Sequence, residues 1–256
     1  MYQTLLTHLE NNILTITINR PDKLNAINAT VMSELGHVVD EVYNNPEIKS
    51  AILTGSGPKA FVAGADISEF SGIKKEGFDL SRKGQVIFQK IEDSPKPFIA
   101  AINGFALGAG CEVAMSCHIR IASPNAKFGQ PEVNLGLVPG YGGTQRLVQL
   151  IGKGRALELL LTANMIDANT ALQYGLITHI EEPGNLINKA KEILELINTK
   201  GPVAVAGCIT AANAVFDEQN GYLLEAEIFS QCFATEDMQE GKNAFLEKRK
   251  ANFKNK

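Results

Sequence analysis

Two glutamates and two glycine-containing turns are the parts of this 256-residue sequence that bear most directly on chemistry. Glu112 closes the run Asn103-Gly104-Phe105-Ala106-Leu107-Gly108-Ala109-Gly110-Cys111-Glu112, which reads as a strand-to-helix turn with a carboxylate on the helix. Amides in the first turn of a helix lack an intrahelical acceptor and carry partial positive charge, so they can polarise a carbonyl oxygen. A carboxylate in so apolar a stretch is costly to bury unless it is paired, protonated or functional. Glu132 ends Lys127-Phe128-Gly129-Gln130-Pro131-Glu132, an irregular segment in which Pro131 restricts its own backbone and that of Gln130. The third segment is Lys59-Ala60-Phe61-Val62-Ala63-Gly64-Ala65-Asp66-Ile67, after a strand and a Gly-Pro turn, with a short helix expected to start at Asp66. Gly64 lets backbone approach a ligand closely, and amides of such a turn can donate to a developing negative charge. Each segment alone has a plain structural reading: a tight turn capped by Asp66, a cap or salt bridge for Glu112, a surface carboxylate for Glu132. Together they offer two turns with exposed amides and two carboxylates. That set suits reaction at an activated carbonyl, where amides hold the oxygen and carboxylates move protons.

The elements that must position these residues are set by periodicity. Residues 3–19 alternate apolar and polar around Asn11-Asn12, a hairpin pattern that Pro21 ends. A helix is expected from about Thr30 to Tyr43, with Thr30 as its cap and Val31, Leu35, Val38, Val39 and Val42 on one face. Strands are expected at Ser50 to Thr54, Pro97 to Ile102 and His118 to Ala122, and helices at Ala109 to Ser116, Thr144 to Ile151 and Arg155 to Thr162. Short strands followed by short helices predict a layered α/β core with parallel pairing. From about Ala190 to Lys248 the pattern is largely helical, interrupted near Gly201-Pro202, and suits packing or oligomerisation.

Composition narrows the function classes. The net charge of -4 argues against a nucleic-acid surface as the main partner. No G-x-S-x-G elbow, Walker A loop or H-E-x-x-H pair occurs, and His8, His37, His118 and His179 lack ligand spacing, so metal catalysis is disfavoured and no metal is expected. Cys111, Cys117, Cys208 and Cys232 read as small core residues in a reducing compartment. Phe98 to Cys117 is long and apolar, but it carries Asn103, Glu112 and three glycines, which a buried strand, turn and helix explain better than a membrane span. Met1 runs almost directly into strand-like sequence, so no signal or transit peptide and a soluble, cytoplasmic protein are expected.

With these segments in order, the sequence resembles the crotonase superfamily and, more narrowly, the enoyl-CoA hydratases. Matching pieces run from Asn19-Arg20-Pro21 and Lys23-Leu24-Asn25-Ala26, through the three segments above and Pro139-Gly140-Tyr141-Gly142-Gly143-Thr144-Gln145-Arg146-Leu147, to Glu247-Lys248-Arg249-Lys250. The resemblance implies the crotonase (ClpP-like) α/β fold, repeated ββα units in a layered superhelix. It implies a core over residues 1–195 and a C-terminal helical region over 196–256 that forms trimers or dimers of trimers. It also implies an oxyanion hole from the amides of Ala65 and Ala109, although many relatives have Gly at the latter position. Hydratases of the family use two glutamates, and Glu112 and Glu132 fill both positions here. Isomerases usually keep only the second, so the pair selects reversible syn addition of water to 2-trans-enoyl-CoA over the alternatives, isomerisation or inactive binding of CoA esters. CoA contacts are implied for Lys23, Leu24 and Ala26, for Ala63, Gly64, Asp66 and Ile67, for Gly108, and for Phe245 and Lys248 near the C-terminus. No cofactor is implied beyond the CoA of the substrate. Glu132 is expected to protonate C2 and Glu112 to activate water, and the acyl pocket floor is expected near Ile73, Phe78, Val86 or Leu137.

Overall fold

Asn11 and Asn12 both take positive φ, 50° and 63°, and this tight turn folds β1 (Leu5–Glu10) back on β2 (Ile13–Ile18) as an antiparallel hairpin. From that hairpin a six-stranded sheet grows in the order β1-β2-β3-β5-β7-β10, with β3 (Ser50–Gly55), β5 (Phe98–Ile102), β7 (Ile119–Ala122) and β10 (His179–Ile180) all parallel to β2. A second sheet holds β4 (Ala60–Val62), β6 (Phe105–Leu107) and β8 (Lys127–Gly129) in parallel, with β9 (Ile166–Asp167) antiparallel at its edge. These are features of a computed structural model that describes residues 2–70, 73–216 and 235–254.

The chain visits the two sheets in turn. β3 leads to β4 and then α2 (Lys74–Glu92), β5 leads to β6 and then α3 (Ala109–Ser116), and β7 leads to β8 and a 3-10 turn at Pro131–Leu135. Side chains of the large sheet alternate between two cores, as the pleat requires. Leu14, Leu53, Phe98, Ala100 and Ile102 face the main core with α1 (Ala29–Asn44), while Ile13, Ile52, Ile99, Ala101 and Ile121 face Leu186, Ala190 and Leu194 of α7 (Leu186–Asn198). α4 (Gly143–Ile151), α5 (Lys153–Thr162), α6 (Ala168–Tyr174), α8 (Pro202–Asn213) and α9 (Glu236–Glu247) complete the described elements.

Several details differ from expectation. α1 is capped by Asn28, whose side chain accepts from Val31 N at 2.9 Å; Thr30 lies inside the first turn. No regular helix starts at Asp66: a single 3-10 turn covers Ile67–Glu69, and the Asp66 carboxylate is engaged by Arg20 and Ser68. α2 has no counterpart in the periodicity of the sequence, because only Gly84, Ile87, Phe88 and Ile91 of its nineteen residues are buried. Cys111 and Cys117 are buried thiols, Cys208 is exposed rather than a core residue, and Cys232 lies outside the described residues. Among the described residues no helix is long and apolar enough to cross a membrane.

Candidate active site

β4, β6 and β8 run parallel in neighbouring positions, so the turns at their carboxyl ends emerge at one edge of the small sheet. After β4 comes Ala63-Gly64-Ala65-Asp66, after β6 comes Gly108 and the start of α3, and after β8 comes Gln130-Pro131-Glu132. Three segments separated by tens of residues are thereby brought together at the carboxyl ends of parallel strands, where α/β proteins characteristically bind ligands.

Among the described residues, two amides at this edge are left without a partner. Ala65 forms a parallel bridge with Ile27 in which Ile27 N donates to Gly64 O at 2.9 Å and Asp66 N donates to Ile27 O at 2.8 Å. Those bonds use the groups on either side of Ala65, so its own N–H is turned to the opposite side. Ala109 is the first residue of α3, where an amide has no intrahelical acceptor. Among the described residues no turn, loop or side-chain hydrogen bond takes either amide. Gly108 makes the turn with φ 49° and ψ -121°, and a Cβ there would stand 2.7 Å from Glu132 Oε1 and 3.8 Å from Gly64 Cα. The two amide-bearing turns therefore abut, and the Glu132 carboxylate lies against the second. Gly110 is also obligatory, because a Cβ would come within 1.9 Å of Val62 O, where α3 crosses β4.

Glu112 sits one turn into α3 and is 1% exposed. Its Oε1 accepts from Tyr141 N at 2.7 Å and from Gly143 N at 2.8 Å. The turn that donates them is packed by α2: a Cβ on Gly84 would meet Tyr141 Cδ1 at 2.2 Å, Phe88 meets the Tyr141 ring edge-on at 5.6 Å, and Ser81 Oγ donates to Gly140 O at 2.6 Å. Burial pushes the Glu112 carboxyl up to about 7; the two amides and the Arg146 charge pull it back, and the Glu132 charge adds to the rise. Glu132, half-buried on its 3-10 turn, is also raised by burial. Turned to face that carboxylate, the Gln130 amide donates to Glu132 Oε1 at 3.1 Å and Oε2 at 3.2 Å. Two carboxyls that both resist ionisation at one edge can hold a single proton between them.

The loop Lys23 to Ile27 lines the outer side of the first amide turn. Ala63 N donates to Leu24 O at 3.0 Å, and Arg20 binds Ala26 O at 2.6 Å and Asp66 Oδ2 at 3.0 Å. Asn25, fully buried, ties this loop to Ser56 O and Ala60 O at 2.9 and 2.8 Å. Lys23, Leu24, Ala26, Ala63, Gly64 and Asp66 thus form one ledge, with Ile67 exposed beyond it. Lys248 is exposed past the end of α9, and the side chain of Phe245 lies outside the described residues. Ile73, Phe78, Val86 and Leu137 are 55%, 66%, 50% and 44% exposed, so they do not close a pocket floor in the single chain. Among the described residues no group of three His, Cys, Asp or Glu is placed to hold a metal ion. The residues missed by sequence reasoning are the Tyr141 and Gly143 amides, Gln130 and Arg146. The run Pro139 to Leu147 did stand out, but a backbone amide leaves no mark on residue type.

Comparison with known proteins finds close relatives of the chain. A family model described as enoyl-CoA hydratase/isomerase matches residues 8–256. The chain is 49% identical over 251 residues, 96% of each chain, to a short-chain-enoyl-CoA hydratase of Clostridium acetobutylicum. It is 46% identical over 255 residues, 98% of each chain, to a crotonyl-CoA hydratase of Syntrophomonas wolfei. The crystal structure of an enoyl-CoA hydratase from Bacillus anthracis superposes with a TM-score of 0.93 at 35% identity, covering 99% of this chain and 100% of that one.

Proposed function

Because the chain belongs to the enoyl-CoA hydratase/isomerase family, we propose that the carboxyl edge of its small sheet adds water across the 2,3 double bond of short 2-trans-enoyl-CoA thioesters. Its fold is the crotonase fold, and it is an enoyl-CoA hydratase. The observation that carries the mechanism is the presence, at one edge, of two carboxylates and two amides unpartnered among the described residues.

The thioester oxygen sits between the amides of Ala65 and Ala109, which draw electron density away from C3. Each such donor contributes roughly 2.7 to 4 kcal/mol in the transition state. Glu132 lies against Gly108, beside the Ala109 amide, so it reaches C2, the carbon next to the held carbonyl. Glu112, held from behind through Oε1, keeps Oε2 for a water that attacks C3. Ionised Glu112 takes a proton from water as hydroxide oxygen bonds to C3, and protonated Glu132 gives its proton to C2. Both additions come from the side of the double bond that faces the pair, which makes the addition syn. Every bond change is covered by these groups, so the scheme calls for no cofactor beyond the CoA of the substrate. The ledge from Lys23 to Ala26 with Ala63, Gly64 and Asp66 carries the CoA moiety, joined by Ile67 and Gly108; Phe245 and Lys248 reach CoA from a neighbouring subunit.

Residues 196–256 form the oligomerisation region of a homo-oligomer, a trimer or a dimer of trimers. Supporting this, α8 has only Thr210 and Asn213 as polar side chains, yet none of its residues is buried in the single chain. A helix apolar all round belongs in an interior. The direct test of the activity is loss of enoyl-thioester absorbance with crotonyl-CoA beside Glu112→Gln. Rapid loss in the wild type, abolished in the variant, is the expected result. No loss while CoA esters still bind would sink hydration of this substrate.

A further inference from the structure

Behind the turn that holds Glu112 lies an ion pair for which the reaction scheme has no role. Arg146, on α4, is 5% exposed. Its Nε donates to Glu92 Oε2 at 2.8 Å, Nη2 forms an ion pair with the same oxygen at 2.7 Å, and Nη2 donates to Gln89 Oε1 at 3.1 Å. The remaining arm, Nη1, donates to the Tyr141 carbonyl at 2.9 Å. Tyr141 is therefore held at both ends, its carbonyl by Arg146 and its amide by Glu112. Gly142, with φ 106°, admits this contact: a Cβ there would stand 2.3 Å from Arg146 Nη1. Glu92 is itself fixed as the last residue of α2, where its carbonyl meets His118 Nε2 at 3.1 Å and accepts from Asn213 Nδ2 at 2.9 Å. His118 Nδ1 accepts from Phe98 N at 2.8 Å, so its proton is on Nε2 and donates to Glu92 O.

We propose that Arg146, anchored by Glu92, is a positioning residue for hydration: it holds the Tyr141–Gly143 turn so that two backbone amides meet Glu112. This rests on the reading of Glu112 as the base that activates water. A planar guanidinium spans three acceptors at once, which a point-charge ammonium does not. The charge acts on the same carboxylate, because Arg146 opposes the rise that burial and Glu132 impose on Glu112. Among the described residues, the other titratable groups around this ion pair are Tyr141, Cys117, His118 and Arg120, with Glu112 on the far side of the turn. Tyr141 and Cys117 are pushed up to about 12 and His118 down to about 4 by burial, so all three stay neutral near neutral pH. Arg120 stays charged in every variant, bound to the carbonyls of Cys117 and Leu176 at 2.6 and 2.7 Å. Changes in the titration of the Glu pair can then be assigned to Arg146 and Glu92.

The experiment is crotonyl-CoA hydration as a function of pH, on full-length protein of checked assembly and melting temperature, for Arg146→Met, Arg146→Lys and Glu92→Gln, with Glu112→Gln as reference. Arg146→Met is expected to lose about 100-fold in kcat with KM within about twofold, since a slack turn misplaces the base rather than the substrate. Its pH profile moves to higher pH, because a cation near the carboxylate is gone. Glu92→Gln moves the profile to lower pH, because Arg146 keeps its charge without its counter-ion, and kcat falls by about tenfold. Arg146→Lys keeps the wild-type profile but loses about tenfold in kcat. Profile shifts in opposite directions are what a purely structural role would not give. Shifts in the same direction, or none, overturn the proposal, as does a folded Arg146→Met with wild-type kcat. Should Arg146→Met fail to fold, Glu92→Gln decides alone: a shift to lower pH supports the proposal and an unshifted profile overturns it. Full activity in Glu112→Gln would instead remove the reading of Glu112; inactive Glu112→Gln beside wild-type behaviour of the Arg146 and Glu92 variants sinks only this proposal.

Discussion

The large and the small sheet are threaded by the same three chain crossings, β3 into β4, β5 into β6 and β7 into β8, but they divide the work. In the large sheet β3 and β5 are five or six residues long, and every residue of both is buried. In the small sheet the parallel strands have three residues each, and their value lies in the turns at their carboxyl ends. Long buried strands satisfy their backbone in the ladder and leave no amide free. Strands of three residues end in turns whose amides point outward and whose glycines let neighbours close in. One sheet spends its residues on stability and the other on leaving backbone groups available for a ligand.

That division can be broken from either side. The largest effect is expected at the small sheet's edge: Glu112→Gln should lower kcat by about 10³-fold, roughly 4 kcal/mol of transition-state stabilisation, with CoA-ester affinity kept. Stopped-flow turnover and product titration check it, and Glu132→Gln in the same background should add little, because the two carboxyls act as a unit. In the large sheet, Ile52→Ala removes a fully buried side chain between the strands and α7. It should cost about 2 to 5 kcal/mol in urea unfolding while kcat per folded molecule stays unchanged.

A third test sets function against stability at one residue. Glu112 has its carboxyl raised from 4.5 to about 7, so between those values the folded state binds more protons than the unfolded state. Its contribution to stability is therefore present at low pH and is lost as pH rises from about 4.5 to about 7, up to about 3 kcal/mol in all. Glu112→Gln should accordingly be more stable than wild type at pH about 8, with the gain fading toward pH about 4.5, as thermal melts across pH would show. A smaller effect is expected at Gly84→Ala, whose new methyl would press on Tyr141 and through it on the Glu112 turn, lowering kcat by about tenfold. Smallest is Lys75→Ala, which removes an exposed ion pair to Asp79 at 2.6 Å on α2 and should change stability by less than about 0.5 kcal/mol.

How far an element is legible in the sequence depends on whether its surroundings constrain residue type. The hairpin at Asn11-Asn12, the Val31 to Val42 face of α1 and the strands at 50–55 and 98–102 are legible because burial on one or both faces imposes a period on residue type. α2 is illegible for the complementary reason: its first ten residues are almost all exposed, so nothing imposes a period. Asn28 rather than Thr30 caps α1 because either residue type can cap, and the backbone of 28 is the one left extended. Glu112 and Glu132 stand out as carboxylates in apolar or constrained settings. Their partners do not, since Tyr141 and Gly143 act through backbone N–H, which every residue other than proline carries.

The sequence by itself determined which groups are available: two carboxylates, two turns with glycine at Gly64 and Gly108, and a family pattern from Asn19 to Lys250. Those are matters of residue type and local spacing, which survive without any fold. Only the tertiary structure decided that turns remote in sequence emerge at one sheet edge, that the amides of Ala65 and Ala109 are left there without a partner among the described residues, and that burial raises the Glu112 carboxyl against the pull of two amides and a buried arginine. Distances between residues far apart in the chain, and the electrostatics that depend on them, arise from packing, because a charge's energy is set by what surrounds it rather than by what precedes it in the chain.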